Sequence, residues 1–461
     1  MTGQRAEPGT GFARAIADRP LARFQLVLVA LLLLVLVIDG IDIQLLSLVA
    51  PSIIGEWNVE RAAFGPALAG ALIGMSAGSL LGGALGDRFG RLPVLAMAIL
   101  LFGAATIIAG LTDNIAAMTA LRIISGIGFG AAAPNAIALA ADWLPDRARA
   151  QVISLMSIGT PAGGMIGASL VIVVLPVWGW RGTFLACGVL TLAIAVLVML
   201  LVRESPSWLA ANGRSDQARE VAQRSLGVDW TPPPAPEANA HSIQPRAAGF
   251  LTRENARLNV GAGLGFFSIA FVSYALVAWT AIMLTSLGFA IEEALSAVFA
   301  FNLAAMSAAV AAGFLMRWMG TRLMLAGSAT LMVVCILLLV PVLDGAADGE
   351  QSRMATYLLI GGAGGFAGSA LASIYGMMAS GYAVECRAGG LGFGMMLGRA
   401  GGIIASLSGG YLLEWQGSAT LPFLMVLAVL AAMGGACSFI SDRHVSPGYR
   451  SEPLGGETNQ A

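Results

Sequence analysis

The chain has 461 residues, 57% of them hydrophobic and 11% charged, with a formal net charge of −1. Soluble domains carry about a quarter charged residues, so this composition, with a mean hydropathy of +0.81, excludes an ordinary soluble globular protein, a disordered chain and a nucleic-acid binder. All 25 basic residues are Arg, which excludes amine chemistry from a Lys side chain. The two histidines, His241 and His444, fall in loop or tail, so neither a His-based metal site nor an intramembrane His relay is expected. Cys187, Cys335, Cys386 and Cys437 are scattered without CxxC spacing and read as small buried hydrophobes. No metal or organic cofactor is expected.

Residues 1–24 are polar and hold four Arg. The apolar run that follows continues to about Ala50, too long for a signal-peptide core, so it is expected to stay as a membrane anchor. Apolar windows fall at about 25–50, 64–86, 92–111, 115–140, 151–175, 183–202, 258–286, 294–316, 323–343, 354–381, 389–413 and 419–441. About 20 residues suffice for one crossing. The expected fold is an all-α membrane protein of twelve transmembrane helices in two pseudo-symmetric six-helix halves. Its predicted parts are a tail (1–24), a first bundle (25–202), a linker (203–257), a second bundle (258–441) and a tail (442–461). The linker holds seven Arg and the run Pro232-Pro233-Pro234-Ala235-Pro236, with a short amphipathic helix predicted near 214–226. Twenty Arg fall on the side of the termini and three (Arg61, Arg181, Arg353) on the other. The positive-inside bias therefore predicts cytoplasmic termini.

After the second span comes Gly83-Ala84-Leu85-Gly86-Asp87-Arg88-Phe89-Gly90-Arg91, and 230 residues later Gly313-Phe314-Leu315-Met316-Arg317-Trp318-Met319-Gly320-Thr321-Arg322 follows the eighth. Two repeats joined by a linker are a transporter layout, with the substrate site expected near the midplane between the halves. In the first copy Gly83 is expected to let helices approach and Gly90 to permit a sharp turn. Asp87 is expected to cap a helix or to pair with Arg88, Arg91 or a neighbouring helix end. With Asp142, these residues form a predicted gating group.

The GxxxDRxGR pattern between spans two and three resembles the signature loop of the major facilitator superfamily, and the resemblance covers essentially the whole chain. In the second copy Arg317 stands where the acid would be. Asp39-Gly40-Ile41-Asp42 followed by Ala50-Pro51-Ser52 resembles the DGxD…AP signature of the aromatic acid:proton symporters of that superfamily. Similar to the same family are Arg122–Asn135 in the fourth span, Asp146–Ala150 in the following loop, and Gly179-Trp180-Arg181 and Glu204–Leu209 flanking the sixth. Gly398-Arg399 matches in the eleventh. The resemblance implies a twelve-helix transporter in a bacterial-type inner membrane, working by alternating access as a monomer. Its partners would be protons, a small organic anion and the lipid bilayer, with the proton gradient as driving force and no cofactor. The C-terminal half departs from the pattern: Trp279-Thr280 lacks the expected Pro, the eighth span has Asn302 but no His, and the tenth lacks a polar Asn/Gln pair. Gly159-Thr160-Pro161-Ala162-Gly163-Gly164 partly resembles an exporter motif in a different order.

Charges within spans usually face a cavity and carry function. Asp39 and Asp42, three residues apart, share a helix face; two carboxylates this close do not both ionise easily, which suits reversible proton binding. Asp39 lies about 21 Å into its span and Arg122 about 10 Å from the opposite end of the antiparallel fourth span. Similar depth makes a pair between Arg122 and Asp39 or Asp42 reasonable, and protonation would release Arg122 to a substrate carboxylate. Arg399 lies about 15 Å into the eleventh span, in a half with no intramembrane acid, so an anionic substrate is its expected partner. Phe267, Phe271 and Tyr274 share one face of the seventh span, with Trp279 after them. Phe299, Phe301 and Tyr375 are further ring contacts. Asn135 and Asn302 are expected to line the path or to bond across helices. The predicted function is proton-coupled import of a benzoate-type carboxylate. Alternatives are transport of another small organic acid or sugar, or proton:drug antiport. An enzyme is not expected, for want of a nucleophile–base or metal constellation.

Overall fold

The computed structural model describes residues 12–17, 19–156, 158–232, 251–344, 350–383, 386–415 and 420–444. His241 and most of the proline run lie outside them. The helices are α1 (Phe12–Ala15), α2 (Arg23–Trp57), α3 (Gly65–Phe89), α4 (Arg91–Ala109), α5 (Ile115–Trp143), α6 (Asp146–Met156), α7 (Gly159–Leu201), α8 (Pro206–Ala211), α9 (Ser215–Leu226), α10 (Ala256–Ser286), α11 (Ile291–Asp344), α12 (Glu350–Gly381), α13 (Arg387–Glu414) and α14 (Leu421–Ile440). Ten helices among the described residues are long and apolar enough to cross a membrane.

Two of the ten exceed a single crossing. At 1.5 Å per residue, α7 and α11 run to about 65 and 80 Å against a hydrocarbon core of about 30 Å. Each is broken by one glycine in a conformation that side chains avoid, Gly179 (φ 65°, ψ −177°) and Gly320 (φ 74°, ψ 163°). Divided there, the ten helices supply twelve membrane-length segments. The turns expected between spans five and six and between eight and nine thus shrink to single residues. The predicted amphipathic helix of the linker is α9.

The described residues of 1–242, 276–302 and 403–419 form one compact unit, and those of 243–275, 303–402 and 420–461 a second. In the first, α3 and α5 meet along small residues. A Cβ on Gly74 would stand 2.1 Å from the Ile123 carbonyl oxygen, and one on Gly126 2.3 Å from that of Ala71. Such backbone proximity is how membrane helices gain packing energy where no water drives them together. Gly83 was expected to serve this approach, but it faces open space; Gly82 and Gly86, on the adjacent face, meet Ala131 and the Asn135 side chain instead.

The polar tail expected over residues 1–24 contains a packed element. Phe12 and Ile16, one helical turn apart, are buried. The Phe12 ring meets Trp143 and Trp230 edge-on, with centroids 5.6 and 5.1 Å away. The cluster fastens the start of the chain and the stretch after α9 to the end of α5.

In each unit a segment that follows a long helix is fastened onto an earlier turn between two helices. In the first, Gly90 (φ 108°) turns the chain between α3 and α4. Glu204, three residues after α7, accepts the Leu92 N–H at 3.0 Å and the Ser205 N–H at 2.8 Å. Burial pushes the Glu204 carboxyl above its ordinary value, with these backbone donors pulling the other way. In the second, Gly320 makes the turn and His444, four residues after α14, bonds Thr321. His444 Nε2 lies 2.8 Å from the Ser438 carbonyl and 3.2 Å from that of Ser441. Both partners are acceptors, so Nε2 carries the proton and Nδ1 accepts the Thr321 hydroxyl at 3.2 Å. Burial lowers the His444 pKa, outweighing the carbonyls that would raise it. Arg443 beside it donates to Asn255 Oδ1 and the Gly381 carbonyl, both at 2.9 Å.

Candidate functional site

In the first unit Asp42 of α2 and Arg122 of α5 meet, with Thr106 of α4 and Phe184 of α7 against them. Gly40, between the two aspartates, lets α2 press on α7: a Cβ there would stand 2.0 Å from the Thr160 carbonyl oxygen. Asp39 and Asp42 are both buried. Arg122, 1% exposed, donates from Nη1 to the Asp42 backbone carbonyl at 3.0 Å and from Nη2 to Asp42 Oδ1 at 3.2 Å. Its guanidinium lies 5.3 Å from the Phe184 ring centroid, a cation–π contact strengthened by desolvation. Thr106 donates its hydroxyl to the same Asp42 Oδ1 at 2.8 Å. Asp42 Oδ2 is buried with no hydrogen bond among the described residues. The carboxylate is thus held by one oxygen. Of the two aspartates open to Arg122 in the sequence, the structure pairs it with Asp42.

The second unit holds four of the aromatic candidates, Phe267, Phe271, Tyr274 and Tyr375, while Trp279, Phe299 and Phe301 fall in the first. Tyr375 is 39% exposed and within electrostatic range of Tyr274 and Arg399. Phe266 packs edge-on against Tyr375, with ring centroids 5.1 Å apart. Small residues make the room: Gly398 backs Phe266, and Gly402 backs Tyr274. Half-buried Arg399 lies between these two glycines in sequence, so a cation and two phenols share one neighbourhood. This arrangement can bind an aromatic anion by charge, ring stacking and hydrogen bonds. Phe267 and Phe271 extend it along α10, their centroids 6.4 Å apart.

Other predicted contacts fall elsewhere. Asn135 donates to the Gly82 and Ala131 carbonyls, both at 2.8 Å; its amide crosslinks α3 to α5 rather than lining a path. Trp279 is buried in the first unit against Gly409 and Gly410, so it packs rather than presenting a ring to a ligand. Asn302 exchanges hydrogen bonds with Gln44. In the gating group Arg91 pairs with Asp142 and donates to the Ala138 carbonyl at 3.0 Å. The Asp87 side chain is exposed, and its backbone carbonyl accepts the Trp208 indole N–H at 2.9 Å. Exposed Arg88 stacks on Phe89, 5.2 Å from its centroid. The expected cap on this turn is therefore Glu204, not Asp87. Thr106, Phe184 and Gln44 are absent from the sequence analysis, and Glu204 enters it only within the Glu204–Leu209 stretch, with no role. Gln44, two residues past Asp42 in an apolar run, and Glu204, just before the helix-starting Ser205-Pro206, carry the signals that would find them. A cavity of about 430 Å³ on α3, α4 and α5, lined by Gly78, Leu85, Phe89 and Met97 among others, is wholly apolar and offers nothing to an organic anion.

The Major Facilitator Superfamily profile matches residues 32–406. The chain belongs to the Major Facilitator Superfamily. Members of this superfamily are transporters, not enzymes. The chain is 30% identical over 433 residues to the gallate transporter of Pseudomonas putida, covering 93% of this chain and 94% of that one. It is also 30% identical to the 4-hydroxybenzoate transporter PcaK of the same organism, over 91% and 93% of the two chains. The benzoate transport protein of Acinetobacter baylyi is 25% identical over 455 residues, 96% of this chain and 95% of that one. Among solved structures, a D-xylose-proton symporter superposes with a TM-score of 0.68 at 17% identity, over 91% and 97% of the chains. An inward-facing bacterial homologue of the lysosomal transporter Spinster gives 0.66 at 17%, over 91% and 94%. These establish the major facilitator fold of a multi-pass membrane protein.

Proposed function

We propose that this major facilitator protein imports an aromatic carboxylate of the benzoate or hydroxybenzoate type across a bacterial inner membrane by proton symport, with both termini cytoplasmic. The buried Asp42–Arg122 pair carries the reading. An ion pair out of water persists only while both members are charged, so protonation of Asp42 converts a local salt bridge into an unbalanced cation that favours an incoming anion. Asp42 Oδ2 is the proposed proton acceptor, with Asp39 its buried neighbour on the same helix face. Arg399, beside Tyr274 and Tyr375, is the proposed partner of the substrate carboxylate, and the phenols and Phe266 its ring contacts. Relatives named for gallate, 4-hydroxybenzoate and benzoate transport, aligned over nine-tenths of the chain, support this substrate class.

The test is uptake of radiolabelled benzoate and 4-hydroxybenzoate into membrane vesicles, with and without an imposed inward proton gradient. The gradient is expected to accelerate uptake and drive accumulation above equilibrium. Equal uptake in both conditions overturns proton coupling, and absence of uptake for every aromatic acid overturns the substrate class.

A further inference from the structure

Gln44 on α2 and Asn302 on α11 form a closed amide pair. Gln44 Nε2 donates to Asn302 Oδ1 at 3.0 Å, and Asn302 Nδ2 donates back to Gln44 Oε1 at 2.9 Å and to the Val298 carbonyl at 2.9 Å. Both residues are more than nine-tenths buried. A third helix closes the pair: a Cβ on Gly164 of α7 would lie 2.0 Å from Gln44 Nε2 and 2.8 Å from Asn302 Oδ1. Asn302 lies eleven residues into α11, about 16 Å from its start, so the pair is deep within the membrane-length segment.

Toward the nearby helix ends the same unit is closed by packing contacts and one further hydrogen bond. Trp279 packs on Gly409 and Gly410, and a Cβ on Gly65 would stand 2.9 Å from the Leu407 carbonyl. Ala62, buried under Gly410, donates its backbone N–H to Glu414 Oε1 at 3.2 Å. The contacts of Gly65 and Ala62 join helices of the first six crossings to helices of the last six, which alternating access requires to part, whereas Trp279 packs within the last six. Apolar contacts loosen gradually in lipid or water. Two reciprocal amides do not: parting strands two donors and two acceptors until water or a ligand replaces them.

We propose that the Gln44–Asn302 pair is the latch of this closure, a pair of positioning residues that sets how often this end of the protein opens. The latch rests on the superfamily's alternating access and not on the identity of the substrate.

The experiment places a cysteine at Ala62 and measures its rate of labelling by a membrane-impermeant maleimide in right-side-out and inside-out vesicles, with the otherwise unaltered chain as background. Ala62→Cys alone is expected to label slowly from either side. Adding Asn302→Ala or Gln44→Ala should raise the rate on one side by roughly 5- to 150-fold, the range typical of coupling between states. The two together should do no more than either alone, because both remove the same pair. Gly164→Ala, which alters neither amide but intrudes between them, should act likewise. Gly167→Ala, whose Cβ would meet only ordinary contacts at 3.4 Å, should not. Unchanged labelling in Asn302→Ala overturns the latch, as do additive effects of the two truncations or a rise confined to Gly164→Ala.

Discussion

Thr106→Val tests the proton site without touching a charge. Valine nearly matches threonine in shape, so the change removes little but the 2.8 Å hydrogen bond to Asp42 Oδ1. That bond stabilises the carboxylate, because an ionised acceptor gains more from a donor than a protonated one. Hydrogen bonds to charged groups contribute about 1.5–3 kcal/mol. The bond to the protonated form is about half as strong, so at about 1.36 kcal/mol of difference per pH unit losing it should move the midpoint of proton-driven uptake to higher pH by about 0.5–1 unit. Arg122 still holds the same oxygen at 3.2 Å, so the lower end of that range is expected. The assay is initial uptake of a labelled aromatic acid against pH, at fixed membrane potential, for the parent chain, Thr106→Val and Thr106→Ser. The serine variant keeps a hydroxyl and should return the midpoint toward the parent value. A midpoint that stays put in Thr106→Val, with uptake otherwise measurable, refutes the assignment of Asp42 as the coupling group.

Asp42→Asn should slow gradient-driven uptake while sparing substrate exchange, measured as counterflow in preloaded vesicles; an intact pH dependence of uptake contradicts it. Arg399→Ala should abolish binding of benzoate-type carboxylates by the purified protein at unchanged expression, and unchanged affinity counts against its role. Gly74→Ala forces a Cβ to within 2.1 Å of a backbone oxygen; overpacking of this kind costs about 1–3 kcal/mol, read as a lower melting temperature in detergent. The His444 clasp gives a pH dependence of defined sign. Its folded value is depressed, so its contribution is complete above the unfolded value of about 6.5 and is lost as pH falls through the folded one. Melting temperature should therefore decline on mild acidification, less steeply in His444→Gln.

Much of the architecture is visible in the sequence because lipid imposes it. The apolar windows follow from the cost of exposing polar backbone and charge to hydrocarbon. Asp42 and Arg122 stand out for the same reason: charges are costly there, and antiparallel depth brings them level. Other features are invisible for a physical reason. Whether Gly83 or Gly82 meets the neighbouring helix is decided by helix rotation, and the moment of a uniformly apolar helix does not reveal it. Asn135 and Asn302 look alike in sequence, yet one bonds backbone within the bundle and the other bonds Gln44. An amide in an apolar helix announces that it will find a partner and does not say which. Phe12 and Ile16 are too few to register as an element, and only the tryptophans they meet give them a place.

The two turn clasps have a practical meaning for handling the protein. Each half is buckled like a belt, the strap leaving its sixth crossing and fastening onto its own middle. The chemistry differs, a carboxylate on backbone amides in one and an imidazole on a hydroxyl in the other. A repeat can therefore drift in sequence, replacing the acid of the first turn with Arg317 in the second, as long as some buckle closes. It follows that a reporter fused beyond His444 leaves both belts fastened, whereas trimming the chain back to Ile440 unbuckles the second while removing no membrane-crossing residue.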